Sequence, residues 1–249
     1  MGYQEKTARY YDYFASKEAL PFFRRLFLKL GGPVLDVGTA TGRVALDLAH
    51  AGLNVVGVDK CPYLLEIARQ KLDKQPPSTK ERLSFVEDDI ISMSLDKTFA
   101  SVFFGGGTFS HLLNSNEQLR CLYNVHKLLD DGGHLVFDLP APNPDMLKSS
   151  TEVSRTVPLN GDSSLLRTVH TRCDVNNQRL VSTVIYERYR GEAMQERVMS
   201  EVVTSIIFPR EILLVLSSAG YKLADFWGDT SGTGFRADSK RMIIVAEKN

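Results

Sequence analysis

The stretch Val34-Leu-Asp-Val-Gly-Thr-Ala-Thr-Gly-Arg43 decides the fold class of this chain. A short apolar run ends at Asp36-Val37 and a helical pattern begins near Thr41, so the residues between them form a strand-to-helix turn. In a doubly wound α/β sheet such a turn lies at the carboxyl edge, where ligands bind. Gly38 and Gly42 permit a tight turn and a close approach to the backbone. The stretch therefore predicts a ligand-binding loop.

The rest of the first half of the chain repeats the alternation of strand and helix. Helix-like spacing also runs from Thr7 to Leu30, broken near Pro21. Apolar periodicity predicts further strands at 54–58, 83–86, 99–104 and 134–139, and helices at 41–51, 62–72 and 116–129. This rhythm is typical of a parallel sheet covered by helices on both faces.

The second half of the chain follows a different pattern. Three alternating runs, at about 165–175, 180–190 and 197–207, are separated by the turn residues Asn176-Asn177-Gln178 and Gly191-Glu192. Short neighbouring runs of this kind predict antiparallel pairing. A helix at 209–219 and two closing strands, at 221–227 and 242–247, follow. The predicted fold class is α/β, with a doubly wound, mostly parallel seven-stranded sheet and a small antiparallel insert.

Charge and composition narrow the classes of partner. The 249 residues contain 30 Lys plus Arg and 30 Asp plus Glu, and 43% are hydrophobic. A protein that binds nucleic acid normally carries a basic excess, so this balance favours a small, nearly neutral or zwitterionic partner and disfavours nucleic acid.

Cysteine spacing and apolar runs bear on location. Cys61, Cys121 and Cys173 are too widely separated for a CxxC motif, so we expect reduced thiols and no metal site. No apolar run approaches the roughly 18 residues of a membrane span, and the N-terminus lacks the apolar core of a signal peptide. We expect a soluble, cytoplasmic protein without a membrane partner, either a monomer or a homodimer.

Glycine spacing in the first loop distinguishes between cofactors. A dinucleotide fingerprint needs glycines at offsets 0, 2 and 5. Here Gly38, Ala40 and Gly42 lie at offsets 0, 2 and 4, and Asp36 precedes them by two residues. The loop resembles motif I of the class I S-adenosylmethionine-dependent methyltransferases, (D/E)-x-G-x-G-x-G. Ala40 departs from it by one methyl group, which we expect to be tolerated if the turn keeps a negative φ there.

The resemblance implies S-adenosylmethionine as cofactor and S-adenosylhomocysteine as product, with Thr39 among the loop contacts. Asp59 ends the second predicted strand, 17 residues after Gly42. Its carboxylate can accept hydrogen bonds from both hydroxyls of a ribose, with Lys60 beside it, although NAD would be held in the same way.

Two further segments resemble parts of the same family. Phe85-Val-Glu-Asp-Asp-Ile90 resembles the end of the third strand, where an acid accepts a hydrogen bond from the adenine amino group. Asp89 aligns best, Asp88 remains an alternative, and Ile90 is expected to pack on adenine or donate its N–H. Gly105, after the fourth strand, is expected to offer its carbonyl to the amino group of the cofactor.

Lid elements are also implied by the family. Tyr11, in an aromatic cluster near the N-terminus, is a candidate to cover the cofactor, or else it packs on the body of the fold. The antiparallel insert looks like that of the aminosugar N,N-dimethyltransferases and their relatives. Its polar residues that could face a ligand are Arg167, His170, Tyr186 and Arg188.

These resemblances define one predicted domain over 1–249. It comprises an N-terminal helical lid (1–30), a cofactor-binding core (31–140), the insert as substrate lid (141–208), and a closing helix with a strand pair (209–249).

The predicted reaction is methyl transfer to a nitrogen or oxygen of a small metabolite. His111, after the glycine-rich loop, is the candidate base, because an imidazole titrates near neutral pH. Asp138 and His170 are weaker candidates. The Asn/Asp-Pro-Pro-Tyr/Phe motif of nucleic-acid amino methyltransferases and the metal-binding carboxylate of catechol O-methyltransferases are absent. The alternatives are a cofactor-binding protein without methyl transfer, regulatory or cyclase-like, and an NAD-dependent oxidoreductase.

Overall fold

The computed structural model describes residues 5–249, leaving aside the side chains of residues 153–155. Residues 1–4, the start of the predicted N-terminal lid, lie outside the described residues. The division of the chain into a single domain with four parts stays a prediction.

The chain divides into two compact units. The main unit comprises Ser16–Pro142 and Ile207–Asn249. The insert unit comprises Asn143–Ile206 and the N-terminal segment up to Ala15. Each unit has its own sheet, and among the described residues two hydrophobic clusters belong to the main unit and one to the insert unit.

The sheet of the main unit has seven strands in the order β10-β11-β5-β4-β1-β2-β3. All neighbouring strands from β3 to β5 are parallel, and β11 alone runs antiparallel to its two neighbours. With numbering along the whole chain, the strands are β1 (Val34–Val37), β2 (Val55–Asp59), β3 (Leu83–Glu87), β4 (Phe99–Phe104), β5 (Leu129–Pro140), β10 (Tyr221–Trp227) and β11 (Arg241–Lys248). The predicted mostly parallel seven-stranded sheet is confirmed.

Helices of the main unit begin at residues suited to a helix start. Pro62 and Pro209 occupy the first turn of their helices. A backbone N–H has no intrahelical acceptor there, so its absence in proline costs no hydrogen bond. Asn114 accepts the Glu117 N–H at 3.0 Å and caps its helix. The helices are α2 (Leu20–Leu30), α3 (Arg43–His50), α4 (Pro62–Asp73), the short α5 (Pro77–Lys80), α6 (Ser115–Leu128) and α7 (Pro209–Ser218).

Side-chain alternation along the strands builds a core on each face of the main sheet. Phe104 stacks on Phe137 at 5.3 Å between ring centres, in the cluster on one face. Its neighbour Phe103 packs against Phe23 and Phe27 of α2 in the cluster on the other face. Successive residues of a strand point to opposite faces, so one short strand contributes to both layers.

The insert unit contains four antiparallel strands in the order β6-β7-β8-β9. They are β6 (Ser150–Pro158), β7 (Ser163–Asp174), β8 (Arg179–Arg190) and β9 (Ala193–Ser205). The prediction of three strands was wrong, because β6 is rich in Ser and Thr and lacks an apolar run. The predicted two-residue turn at Gly191-Glu192 is confirmed, and Gly191 has a φ of 56°.

The N-terminal helical prediction was only partly correct. The segment forms a single turn α1 (Glu5–Ala8), a 3₁₀ turn (Tyr11–Phe14) and then α2. Pro21 lies in the first turn of α2, where proline is favourable. The helix therefore begins at the position where a break was predicted. In the insert unit, the Tyr10 ring packs on Tyr186 at 5.5 Å between centroids.

None of the helices within residues 5–249 is long and apolar enough to span a membrane.

Candidate functional site

The carboxyl ends of β1, β2, β3 and β4 lie side by side in the main unit. Val37 pairs with Val58 and with Phe104, and Asp59 pairs with Glu87. We call this end of the sheet the carboxyl edge. The ends of these strands and the loops that follow them contain twelve of the predicted site residues: Asp36, Gly38, Thr39, Ala40, Gly42, Asp59, Lys60, Asp88, Asp89, Ile90, Gly105 and His111. Tyr11, the remaining one, lies in the insert unit.

The loop between β1 and α3 needs its two glycines. Gly38 has a φ of 66°, and a Cβ there would lie 2.3 Å from Cγ2 of Thr108. Gly42 has a φ of 75°, and a Cβ there would lie 2.6 Å from the Phe85 ring. A larger residue at either position would clash with a neighbour and strain the backbone.

Ala40 adopts the left-handed conformation, with a φ of 49°. The condition under which an alanine was expected to be tolerated here, a negative φ, is therefore not met. A residue with a Cβ costs roughly 1–2 kcal/mol in this region, so the surroundings must compensate. The Ala40 N–H donates to Oδ2 of Asp59 at 2.8 Å, which holds the residue in this conformation.

The Asp59 carboxylate joins two loops of the carboxyl edge. Besides the Ala40 N–H on Oδ2, its Oδ1 accepts the N–H of Cys61 at 2.9 Å. Each carboxylate oxygen can accept a second hydrogen bond, so two acceptor positions remain for a pair of hydroxyls. Burial raises the pKa of Asp59, whereas the hydrogen bonds from the two N–H groups lower it.

Asp36 is a buried acid beneath the first loop. Its Oδ2 accepts the Thr39 hydroxyl at 2.7 Å. Burial raises the pKa of Asp36 to about 6, while the Thr39 hydrogen bond and the positive charge of Arg43 act in the opposite direction. A cation bound nearby would favour the charged form of this carboxyl.

The segment after β3 forms a turn that orders both candidate adenine ligands. Asp88 accepts the Asp89 N–H at 2.7 Å, and Asp89 accepts the Ile91 N–H at 3.0 Å. Both carboxylates are partly exposed, and the side chain of Ile90 is buried. The side chain of Asn124 donates to the Ile90 carbonyl at 2.8 Å. The choice between Asp88 and Asp89 stays open.

Gly105 lies at the end of β4, as predicted, but its carbonyl is already engaged. It accepts the Thr108 N–H at 3.0 Å and the Thr108 hydroxyl at 2.7 Å. An incoming ammonium group would have to share or displace the hydroxyl. Sequence reasoning missed Thr108, and a hydroxyl residue directly after three glycines is the signal that could have found it.

His111 ends the 3₁₀ turn Thr108–His111 at the carboxyl edge. The residue is exposed to solvent, yet the protein atoms around its ring lower its pKa, and the positive charge of Lys60 lowers it further. The negative charge of Asp59 opposes both. The ring is therefore mainly neutral near pH 7 and able to accept a proton.

The two weaker candidates for the base lie in different surroundings. Asp138 is buried, and its Oδ1 lies 3.4 Å from Nε of Arg241. His170 belongs to the insert unit, where its Nδ1 lies 3.0 Å from the Thr151 hydroxyl.

The other polar residues predicted to face a ligand lie on the insert strands. Tyr186 is 3% exposed and belongs to the small core of the insert unit, so it packs against protein. The guanidinium of Arg167 lies 4.7 Å from the centre of the Phe14 ring, and Arg188 is exposed.

Comparisons with known proteins find similarity to methyltransferases. Residues 34–133 match a family model described as a methyltransferase domain. The Cypemycin N-terminal methyltransferase of a Streptomyces species is 26% identical over 88% of this chain and 84% of its own length.

Solved structures show the same fold over the whole chain. The CcbJ methyltransferase from Streptomyces caelestis is 24% identical, with a TM-score of 0.81 and 99% of each chain covered. S-adenosylmethionine-bound CalS10 from Micromonospora echinaspora, an amino pentose methyltransferase, is 16% identical, with a TM-score of 0.74, covering 100% of this chain and 98% of its own.

Replacement of Ala40 by Gly should stabilise the protein. Removing the Cβ relieves roughly 1–2 kcal/mol of left-handed strain, and the added freedom of the unfolded chain offsets about 0.4–1 kcal/mol of it. We expect a net gain of about 0.5–1 kcal/mol in the free energy of unfolding, measured by urea denaturation. The control is Ala51→Gly, at a φ of −75°, which should destabilise. Destabilisation by both variants would contradict the strain at Ala40.

Binding of S-adenosylhomocysteine, measured by calorimetry, should strengthen as the pH rises through about 6, because the charged form of Asp36 attracts the ammonium group of the ligand. The stability of the ligand-free protein changes with pH in the opposite direction. The raised pKa of Asp36 makes the protonated form the more stable one, so stability falls over the same pH range.

Asp36→Asn should therefore bind more weakly at pH 8 and lose the pH dependence, while the ligand-free variant gains stability at that pH. The exposed surface acid of Asp73→Asn serves as the control. Binding to wild-type protein that stays constant from pH 5 to pH 8 would refute the assignment.

Proposed function

We propose that this chain is an S-adenosylmethionine-dependent methyltransferase and that it methylates an amine nitrogen of a small molecule. The observation that carries the proposal is the similarity over nearly the whole chain to proteins described as an N-terminal methyltransferase and an amino pentose methyltransferase. The neutral net charge also favours a small acceptor over a nucleic acid. We expect the protein to work in the cytoplasm.

The residues of the carboxyl edge fit the cofactor chemically. Asp59 retains acceptor positions for two vicinal hydroxyls, and Asp88 or Asp89 offers an acceptor for an exocyclic amine. Asp36 supplies negative charge beneath the loop, which suits a cofactor with a sulfonium and an ammonium group. This set of hydrogen-bond acceptors and negative charges therefore suits a cationic nucleoside.

The cofactor supplies an activated methyl group, and the chain contributes orientation and proton transfer. Fixed loops hold the reactants in line and exclude water, which is worth roughly 7–11 kcal/mol in favourable cases. The acceptor nitrogen needs a free lone pair, so an ammonium group must lose one proton. Neutral His111, at the carboxyl edge, accepts this proton through Nδ1 or Nε2.

A panel of matched amine and alcohol pairs tests the acceptor. The panel contains aminosugars, amino acids and short peptides with a free N-terminus, each with an analogue in which a hydroxyl replaces the amine. We expect release of S-adenosylhomocysteine and addition of one methyl group, measured by mass spectrometry, for amines only. Transfer to the alcohols and not to the amines would overturn the proposal.

Replacement of His111 by Gln should lower kcat about 100-fold, because general base catalysis typically contributes 10²–10⁴-fold. Affinity for S-adenosylhomocysteine should stay close to that of the wild type. In the wild-type protein kcat/KM should fall below the lowered pKa of His111, and this acidic limb should be absent from the variant.

The control is His50→Gln, an exposed histidine at the end of α3 that hydrogen-bonds Gln75. Full activity of His111→Gln would remove the imidazole from the mechanism.

A further inference from the structure

Asp138 is a buried carboxylate near the end of β5, next to the glycine loop that follows β4. Its side chain is 8% exposed, and its nearest cation is Arg241 at the start of β11. The Asp138 Oδ1 lies 3.4 Å from Nε of Arg241. Arg43 of α3 is the other charged group that acts on it. Burial raises the pKa of Asp138, and both arginines lower it.

Both polar groups of Asp138 that face the loop contact consecutive glycines. The backbone carbonyl accepts the Gly107 N–H at 2.8 Å, and Oδ2 accepts the Gly106 N–H at 3.3 Å. Gly106 and Gly107 have φ values of 56° and 79°, in the region that favours glycine. The two hydrogen bonds to Asp138 therefore hold both glycines in this left-handed conformation.

The same loop positions the candidate base. Gly107 precedes the 3₁₀ turn Thr108–His111, and the Ser110 N–H donates back to the Gly107 carbonyl at 2.9 Å. A displacement of Gly106 and Gly107 would therefore move His111 and the Gly105 carbonyl together. A shift of about 1 Å at reacting groups can reduce a rate about 100-fold.

Stability alone does not explain a charge at this position. A buried ion pair seldom stabilises a fold more than apolar residues of similar volume would, because both groups lose hydration. The residues on either side of Asp138 in β5, Phe137 and Leu139, are at most 1% exposed, so this part of the strand is buried. The carboxylate of Asp138 is instead directed at a backbone N–H of the glycine loop, which an apolar side chain would leave without an acceptor.

We propose that Asp138 is a positioning residue, whose carboxylate, oriented by Arg241, holds the loop from Gly105 to His111 in the geometry required for methyl transfer. It does not act as the base, since its oxygens face Gly106 and Arg241. The proposal rests on the methyltransferase activity and on the role of His111 proposed above.

Asp138→Asn tests the proposal, because an amide keeps the volume and removes the charge. We expect hydrogen exchange of peptides covering residues 105–112 to accelerate in the S-adenosylhomocysteine complex, with no change at residues 38–42. We expect kcat to fall roughly 10- to 100-fold, while the KM for the amine and the affinity for S-adenosylhomocysteine change little. Asp130→Asn, at the amino end of the same strand, is the matched control.

Arg241 provides a second pair of variants if Asp138→Asn does not fold. Arg241→Lys should retain both the activity and the slow hydrogen exchange of the loop. Arg241→Gln should have lower activity and faster hydrogen exchange of the loop. Unchanged loop exchange in Asp138→Asn and in Arg241→Gln would overturn the proposal, as would faster exchange with an unchanged kcat. The exchange measurement needs no acceptor, so unchanged exchange would overturn the proposal even if no amine in the panel is methylated.

Discussion

The two hydrogen bonds accepted by the Asp59 carboxylate connect the sheet to the loops that form the site. One comes from the Ala40 N–H at 2.8 Å and the other from the Cys61 N–H at 2.9 Å. The first fixes the loop after β1, and the second fixes the turn into α4. Because Asp59 ends β2, the position of a single strand end determines the relative placement of both loops. The left-handed Ala40 depends on the same carboxylate.

Buried acids at the carboxyl edge indicate that this part of the molecule is organised for a ligand at some expense of stability. Burial raises the pKa values of Asp36, Asp59 and Asp138, which means that their charged forms are less favourable in the ligand-free protein than in water. A carboxylate that is costly alone becomes favourable beside a bound cation or a set of N–H donors. Asp59 and Asp138 have such donors within the chain. Asp36 accepts the Thr39 hydroxyl, and a cationic ligand would further favour its charged form.

The sequence was sufficient to predict the sheet and the location of the site, because both depend on local patterns. The apolar runs and the Asp36–Gly42 motif identified β1, the loop and the carboxyl edge. The sequence was insufficient where tertiary contacts determine the local conformation. The left-handed Ala40 depends on Asp59, 19 residues away, and the carbonyl of Gly105 is occupied by a nearby threonine that no pattern singled out. Strand β6 was missed because it is rich in Ser and Thr and lacks an apolar run.

The two glycine loops at the centre of the sheet are held in the same way. In the strand order β5-β4-β1-β2, the loop after β1 is held by Asp59 from β2, and the loop after β4 is held by Asp138 from β5. Each carboxylate therefore comes from the strand on the outer side of its loop. This leaves the space between β1 and β4 free of these side chains, at the point where a doubly wound sheet binds its ligand. Rigid loops on both sides of that point suit a reaction that depends mainly on the alignment of donor and acceptor.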